Sequence, residues 1–437
     1  MQRGPSTSLG MTGAFACSFW AMTSAARLAQ IAPRPPRDQN LIAIVGGGPA
    51  GLRAAEIARA TGARITIFDA QRSVGRKFLV AGRGGLNLTH GEPVENFPLR
   101  YRDEPERWRD LLGEFGPDAL REWAEKLSVE TYVGTSGRVF PRGQKAAALL
   151  RAWIDRLRKH GVTIETGHRI VGLTQESGAW RLEFSADDVA RTVRAGAVVL
   201  ALGGASWPDT GSDGRWPALL APHGVEIAPW QPANCGWEVA WPNELLARAE
   251  GMPLKNLQVS AGDESVSGEM LITRYGLEGG ALYRLGRTLR GMSEPRLQID
   301  FKPQLSEEAL RERAANLRSP AEHFRAWKLS SAAIALLETI GALDLTDTDA
   351  LITAAKRFTL QLIKPRPMAE AISSAGGVRW RELDANLMLH KMPGVFVAGE
   401  MIDWEAPTGG YLLQGCFSTG TRAGRAAAAF ASEAHPV

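Results

Sequence analysis

The rhythm of apolar and polar positions changes abruptly at Leu41. Residues 1–40 are rich in Ser, Ala, Gly and Pro and repeat with neither a helical nor a strand period. From Leu41 the chain reads "LIAIVGGGPAGLRAAEIARATGARITIFDA". Leu41–Val45 is an unbroken aliphatic run, the pattern of a strand buried on both faces of a parallel sheet. Gly46–Gly51 is a turn, Leu52–Thr61 places Ala and Ile at helical spacing, and Ala63–Phe68 alternates. The pattern predicts a β-α-β unit within about thirty residues.

Further along, the glycine-rich, basic "QRSVGRKFLVAGRGGLNLTH" predicts a loop. Two helices are expected over Pro105–Val129, with Trp108, Leu111, Leu112, Phe115, Leu120 and Trp123 facing the core, and another over Lys145–His160. Strands are expected at Val162–Glu165, Ile170–Thr174 and Trp180–Phe184, and at the apolar Ala197–Leu202, which runs into "GGASWPDTGSDG". Gly224–Ile299 holds short strand-like runs punctuated by Pro, Gly and Asn, which suggest a small barrel or sandwich. Ser306–Ile363 reads as helical, with caps at Ser306 and Thr346, and a final helix is expected over Ser418–Glu433. The fold class is therefore α/β: a discontinuous Rossmann-like domain (41–215 and 369–437) interrupted by an inserted domain at 216–368. That insert is β-rich over 216–303 and helical over 304–368, and 1–40 form a disordered or targeting-like extension.

Charge and cysteine content narrow the function classes. The formal net charge is +4, and Arg3, Arg27, Arg34 and Arg37 against Asp38 place most of it in the extension. The remainder is near neutrality and shows no basic run with interleaved aromatics, so no nucleic-acid partner is expected. Cys17, Cys235 and Cys416 are far apart with no CxxC pair, which disfavours a disulfide framework or a disulfide reductase and fits a reducing, cytoplasmic location. No apolar window approaches the roughly 18 residues of a membrane span. The extension admits a signal peptide, a transit peptide, or a start at Met11 or Met22, the reading as a tail outside the functional unit being preferred. The seven His and three Cys have no metal-ligand spacing.

The first β-α-β unit carries chemistry. Gly46, Gly48 and Gly51 form G-x-G-x-x-G. The first glycine permits the tight turn, the second lets backbone approach a pyrophosphate, and the third lets helix and strand pack closely. The diphosphate then sits on the helix N-terminus. Asp69, 18 residues past Gly51, ends the second strand, where a carboxylate can accept from ribose hydroxyls and disfavours a 2′-phosphate. No second such motif follows a later strand. Near the other end, Val395–Ala398 is an apolar strand ending in Gly399-Glu400; a loop leads to Thr408-Gly409-Gly410-Tyr411, and a helix opens near Gly415–Gly420. A helix N-terminus there suits negative charge on a reduced flavin. The pair of motifs points to FAD.

The segments "VGGGPAGLRAA", "GRKFLVAGRGGLNLTH", "VVLALGGASWPDTGSDG", "MLITRYGLEGG" and "AGEMIDWEAPTGGYLLQGCFSTG" together resemble the HI0933-like flavoproteins, also called the YhiN or BaiN-like family. The resemblance runs from Leu41 nearly to the C-terminus. It departs at "AGRGGLNLTH", where the family has "SGGGRCNVTN", so that Arg83 comes early and Leu86 replaces a Cys; this marks a divergent subgroup. The resemblance implies that Gly46, Gly48, Pro49, Ala50 and Gly51 wrap the FAD diphosphate, and that Asp69 and Ala70 hold the adenosine ribose. It implies Arg76, Lys77, Gly82 and Asn87 along the diphosphate and flavin, and a second glycine crossing at Gly203 and Gly204. Gly399, Glu400 and Asp403, then Gly409, Gly410, Tyr411, Leu413 and Gln414, would surround the ribityl chain and isoalloxazine.

The expected function is an FAD-dependent oxidoreductase moving hydride through the flavin to or from a small organic substrate held between the two domains, with NAD(P)H a transient donor if one is used. The alternative is an FAD-binding protein that modifies or senses a macromolecule such as RNA. His90 is a candidate proton donor or hydrogen-bonding residue, Cys416 a redox thiol or a packing residue, and Arg274 and Tyr275 line the substrate pocket or form a turn. Substrate, catalytic acid or base, and oligomeric state are not specified by the sequence.

Overall fold

A computed structural model describes residues 40–82, 84–143, 145–186, 189–340 and 346–433. The N-terminal extension with Cys17, Met11 and Met22, and Arg83, lie outside the described residues. The central feature is a five-stranded parallel sheet. It comprises β1 (Leu41–Val45), β2 (Arg64–Asp69), β3 (Thr163–Thr166), β4 (Ala197–Leu200) and β5 (Val395–Val397), ordered β5-β4-β1-β2-β3. All five residues of β1 are buried, as its unbroken aliphatic run requires. Helix α1 (Pro49–Ala58) and helix α2 (Tyr411–Glu433) cover the sheet. The two helices touch almost backbone to backbone: a Cβ on Gly420 would lie 2.4 Å from the Ala50 carbonyl, and one on Gly424 2.4 Å from that of Ala54.

Beneath α1 lies a polar hub. The Glu56 carboxylate accepts from Trp123 Nε1 (2.9 Å), Trp153 Nε1 (3.2 Å), Arg53 (3.0 Å) and Arg156. Arg53 also donates to Thr421 Oγ1 at 2.9 Å and lies over the Phe115 ring, so a buried charge is fully surrounded by partners.

The inserted part has its own apolar core, built from residues between Trp237 and Leu362, separate from the core around the parallel sheet. Its six antiparallel strands run in the order Trp237–Glu238, Gly276–Glu278, Glu264–Thr273, Pro253–Ala261, Arg296–Asp300, Phe358–Gln361. The chain after the last strand returns to the first: Ile363 N donates to Glu238 O and Glu238 N to Lys364 O, both at 2.9 Å. The sheet thereby closes into a barrel and leaves no long open edge.

Some expectations shift. The stretch read as helical to Ile363 ends as the strand Phe358–Gln361, whose period-two burial places Phe358 and Leu360 inside. The helix Thr348–Arg357 is capped by Asp347, which accepts from Asp349 N, and not by Thr346. The last helix starts at Tyr411 and not near Gly415: its apolar face tolerates Gly415, Gly420 and Gly424 because each meets a close neighbour. No described helix is long and apolar enough to cross a membrane.

Candidate functional site

The turn after β1 separates the three glycine roles physically. Gly46 has φ +109°, and a Cβ on it would lie 2.2 Å from the Ala201 carbonyl, so the turn itself demands glycine. A Cβ on Gly51 would lie 1.9 Å from Gly46 O, where α1 presses on the turn. A Cβ on Gly48 would meet nothing within 4 Å. Gly48 is therefore free of any packing requirement; its space is open toward a cleft, beside the N-terminus of α1.

That cleft has an empty volume of ≈ 690 Å³ and is lined by Gly46, Gly48, Pro49, Ala50, Asp69, Ala70, Arg76, Lys77, Gly203, Gly399 and Glu400. These residues come from five separate stretches of the chain. Asp69 Oδ2 accepts from Gly47 N and Oδ1 from Gln71 N, both at 2.7 Å, so the carboxylate braces the glycine turn from the end of β2. Burial raises the Asp69 pKa above the usual carboxylate value, against the lowering effect of those two amides. Across the cleft Lys77 Nζ donates to Glu400 Oε2 (2.6 Å) and Ser206 Oγ (2.9 Å), bridging residues 323 positions apart.

Several expected residues do not line this cleft. Gly51 packs under it, and Gly204 sits against Ser374 Oγ. Gly82 lies against Ala146. Asp403 is half-buried, 3.6 Å from Arg379. Gly409, Gly410, Tyr411, Leu413 and Gln414 form the turn and first residues of α2. There Asn87, with its amide turned to satisfy both neighbours, donates to Thr89 O (3.0 Å) and accepts from Gly410 N (3.2 Å). Gln414 is fully buried: it accepts from Thr89 Oγ1 (2.8 Å) and donates to Phe115 O (2.9 Å), which makes it a brace for this turn. Tyr411 donates to Glu92 Oε1 at 2.6 Å, and the Tyr101 hydroxyl donates to Tyr411 O at 2.8 Å.

His90 stacks on Tyr411; its Nδ1 accepts from Glu92 N (3.1 Å), which leaves Nε2 to donate to Ser136 O (3.2 Å), so both nitrogens are engaged. Cys416 touches the cleft, but burial pushes its thiol far up, an inert state for a nucleophile. Tyr275 donates to Glu278 Oε2 (2.6 Å) under Arg366, and neither Arg274 nor Tyr275 lines the large cavity described next: they belong to a turn.

A second cavity, with an empty volume of ≈ 1680 Å³, opens between the Rossmann-like part and the barrel. Leu99, Arg100, Arg102, Asp103 and Glu405–Pro407 contribute from the first; Gln258, Glu264–Ser267 and the helix Gly280–Arg290 contribute from the second. Ala406-Pro407 lies two residues before Gly409, so this cavity abuts the turn that opens α2. Glu92 joins the two places: it takes Tyr411 from one side and Arg100, at 2.9 and 2.5 Å, from the other. Sequence reasoning missed this wall. Its arginines are spread over 188 positions from Arg100 to Arg287 and show no spacing pattern; only the placement of a substrate between the domains anticipated it.

The HI0933-like protein Rossmann domain model matches residues 40–426. The chain belongs to the HI0933-like family. It is a flavin-dependent oxidoreductase of that family, with a Rossmann-like fold. The chain is 30% identical over 418 residues to a 3-dehydro-bile acid delta(4,6)-reductase of Clostridium scindens, covering 89% of this chain and 99% of the relative. It is 25% identical over 410 residues to a ribosomal RNA dihydrouridine synthase of Escherichia coli, covering 86% and 95%. In fold it is similar to a 3-ketosteroid-delta4-(5alpha)-dehydrogenase of Rhodococcus jostii, with a TM-score of 0.51 at 16% identity, covering 89% of this chain and 96% of the other. In this HI0933-like chain Leu86, the position that sets it apart in "AGRGGLNLTH", is buried in the core and serves packing.

Proposed function

We propose that this HI0933-like chain binds FAD along the glycine-lined cleft and uses it to reduce a conjugated carbon–carbon double bond of a small organic substrate in the interdomain cavity, with NAD(P)H as donor. The observation that carries the reading is Gly48, the one motif glycine whose missing side chain leaves open space in the cleft instead of a packing contact. A dinucleotide phosphate fits that gap: it would meet backbone N–H groups and the positive end of α1. Asp69 would keep lone pairs for a ribose hydroxyl after accepting from its two amides. Arg76 and Lys77 supply positive charge on the cleft wall. The unpaired N–H groups of the first turn of α2 would favour negative charge at the ring end.

When bound, a flavin supplies the redox step, accepting a hydride from the donor and delivering it to the substrate. The chain's own part is to hold substrate against the turn at Gly409–Tyr411 and to exclude water with the barrel. The double-bond direction draws support from the reductase activity of the C. scindens relative. The test is a spectrum of the purified protein, then anaerobic titration with NADH or NADPH and reoxidation by a panel of conjugated enones. A yellow protein bleached by one nucleotide and recoloured by an enone is the expected result. A protein that takes up no FAD overturns the reading; one bleached only by dithionite removes the nicotinamide donor. A second reading, action on RNA, is favoured by the E. coli relative and by the arginines of the cavity. Recolouring by unmodified ribosomal RNA and by no enone would establish it.

A further inference from the structure

Four carboxylates at or beside the interdomain cavity each hold a guanidinium. Arg100 is held by Glu92 at 2.5 Å and Arg102 by Glu264 at 2.6 Å. Arg287 is held by Asp103 at 2.7 Å and Arg290 by Glu405 at 2.7 Å. One arginine of the cavity is left over. Arg284, half-buried on the helix Gly280–Arg290, donates only to the backbone carbonyl of Ser267, and its own carbonyl accepts from Arg102 at 2.6 Å. Among the described residues, no carboxylate pairs with it. The wall around it mixes Leu99, 71% exposed at the rim, with Val266, Tyr283 and Pro407.

A guanidinium keeps its charge at any physiological pH, and holding one half-buried without a counter-ion is costly. Burial, with the Arg100 charge nearby, already disfavours the charged form of Arg284. Pairing of the surrounding acids leaves none to reach across and satisfy it. From this geometry we infer that the interdomain cavity recognises an amphipathic small molecule bearing an anionic group, which Arg284 receives as its missing partner while the apolar rim takes the hydrocarbon. The inference rests on the cavity being the substrate site proposed above. Carboxylate and phosphate share the planar or tetrahedral oxygen array that a guanidinium fork matches, so both are candidates.

The test uses isothermal titration calorimetry on the FAD-loaded protein with octanoate, octyl phosphate and the uncharged octanamide. One anion is expected to bind at least about tenfold more tightly than octanamide, the ordinary worth of one charge-assisted hydrogen bond. Which anion wins identifies the group. R284Q should erase the preference, and R284K should restore part of it, with FAD content and Tm unchanged in both. Equal binding of octanamide, no measurable binding of either anion, or an unchanged preference in R284Q overturns the inference. So does displacement of the anion by a single-stranded RNA 20-mer at lower concentration, which would make the cavity a macromolecule's site. Because the readout is binding and not turnover, a protein that binds no FAD defeats the functional reading separately, while the R284Q comparison on that same protein still decides the anion site.

Discussion

The two clefts of this molecule are built by opposite means. The glycine-lined cleft presents backbone: open space at Gly48, a helix end, and amides braced by Asp69. The interdomain cavity presents side chains, and nearly all of its charge is tied up in pairs between segments far apart in the chain. Backbone recognition depends on where residues cannot have a side chain, so it is tightly constrained. Side-chain recognition can be rebuilt one arginine at a time. The contrast is in keeping with relatives whose names give them substrates as different as a bile acid and ribosomal RNA.

The comparison can be broken most forcefully at Gly51. Gly51→Ala forces a Cβ within 1.9 Å of Gly46 O and should destabilise the β-α-β unit by about 3 kcal/mol or more, read as lost soluble protein or a large fall in the urea midpoint. Glu405→Ala tests the other cleft. It leaves Arg290, only 9% exposed, without its carboxylate and should cost about 2 kcal/mol while FAD content stays normal. Gly48→Trp inverts that pattern: the folded apo-protein should keep its Tm within about 2 °C, and FAD affinity should fall at least about tenfold. Retention of full FAD affinity would remove Gly48 from the diphosphate site.

Glu92 stands between the two regions. Burial alone would raise its pKa, but the hydrogen bonds from Arg100 and Tyr411 outweigh burial and hold it below the usual Glu value. Its stabilisation is therefore fully present above the unfolded value near 4.5 and is lost as pH falls through the lower folded value. The Tm gap between wild type and Glu92→Gln should be flat from neutrality to about pH 5 and close in more acid solution. The smallest effect belongs to Cys416→Ala. Flavin reduction should be unchanged, and the native thiol should resist a colorimetric thiol reagent until the protein is unfolded, because burial keeps it protonated.

Legibility in the sequence followed the same divide. Leu41–Val45, the glycine turn and Asp69 were readable because strand burial, positive φ and close approach each leave a mark at fixed spacing. The start of α2 at Tyr411 was missed because Gly409, Gly410 and Gly415 read as a loop; only the facing rings of Trp404, Tyr101 and Trp108 explain Gly415 inside the helix. Phe358–Gln361 was absorbed into a helix since its role, pairing with Arg296–Asp300 and leading Ile363 and Lys364 back to Glu238, depends on partners far away in the chain. Arg284 lies in a stretch read as β-rich, and nothing in its spacing set it apart. Its isolation becomes visible only when Glu264 and Asp103 are seen to be occupied by other arginines.

The position of β5 at the edge of the parallel sheet has a consequence for how the molecule comes into being. Strand β4 pairs with β1 on one side and waits for Val395–Val397 on the other. During synthesis the ribosome must therefore make the whole barrel before the strand that closes that edge emerges. At about 5–20 residues per second, the unpaired edge of β4 is exposed for roughly ten seconds or more, a long window for wrong pairing. The Lys77–Glu400 bridge forms in the same late event. The glycine-lined cleft is thus completed only in that late event, and a chain stalled within the barrel carries it half-built, with only one lip.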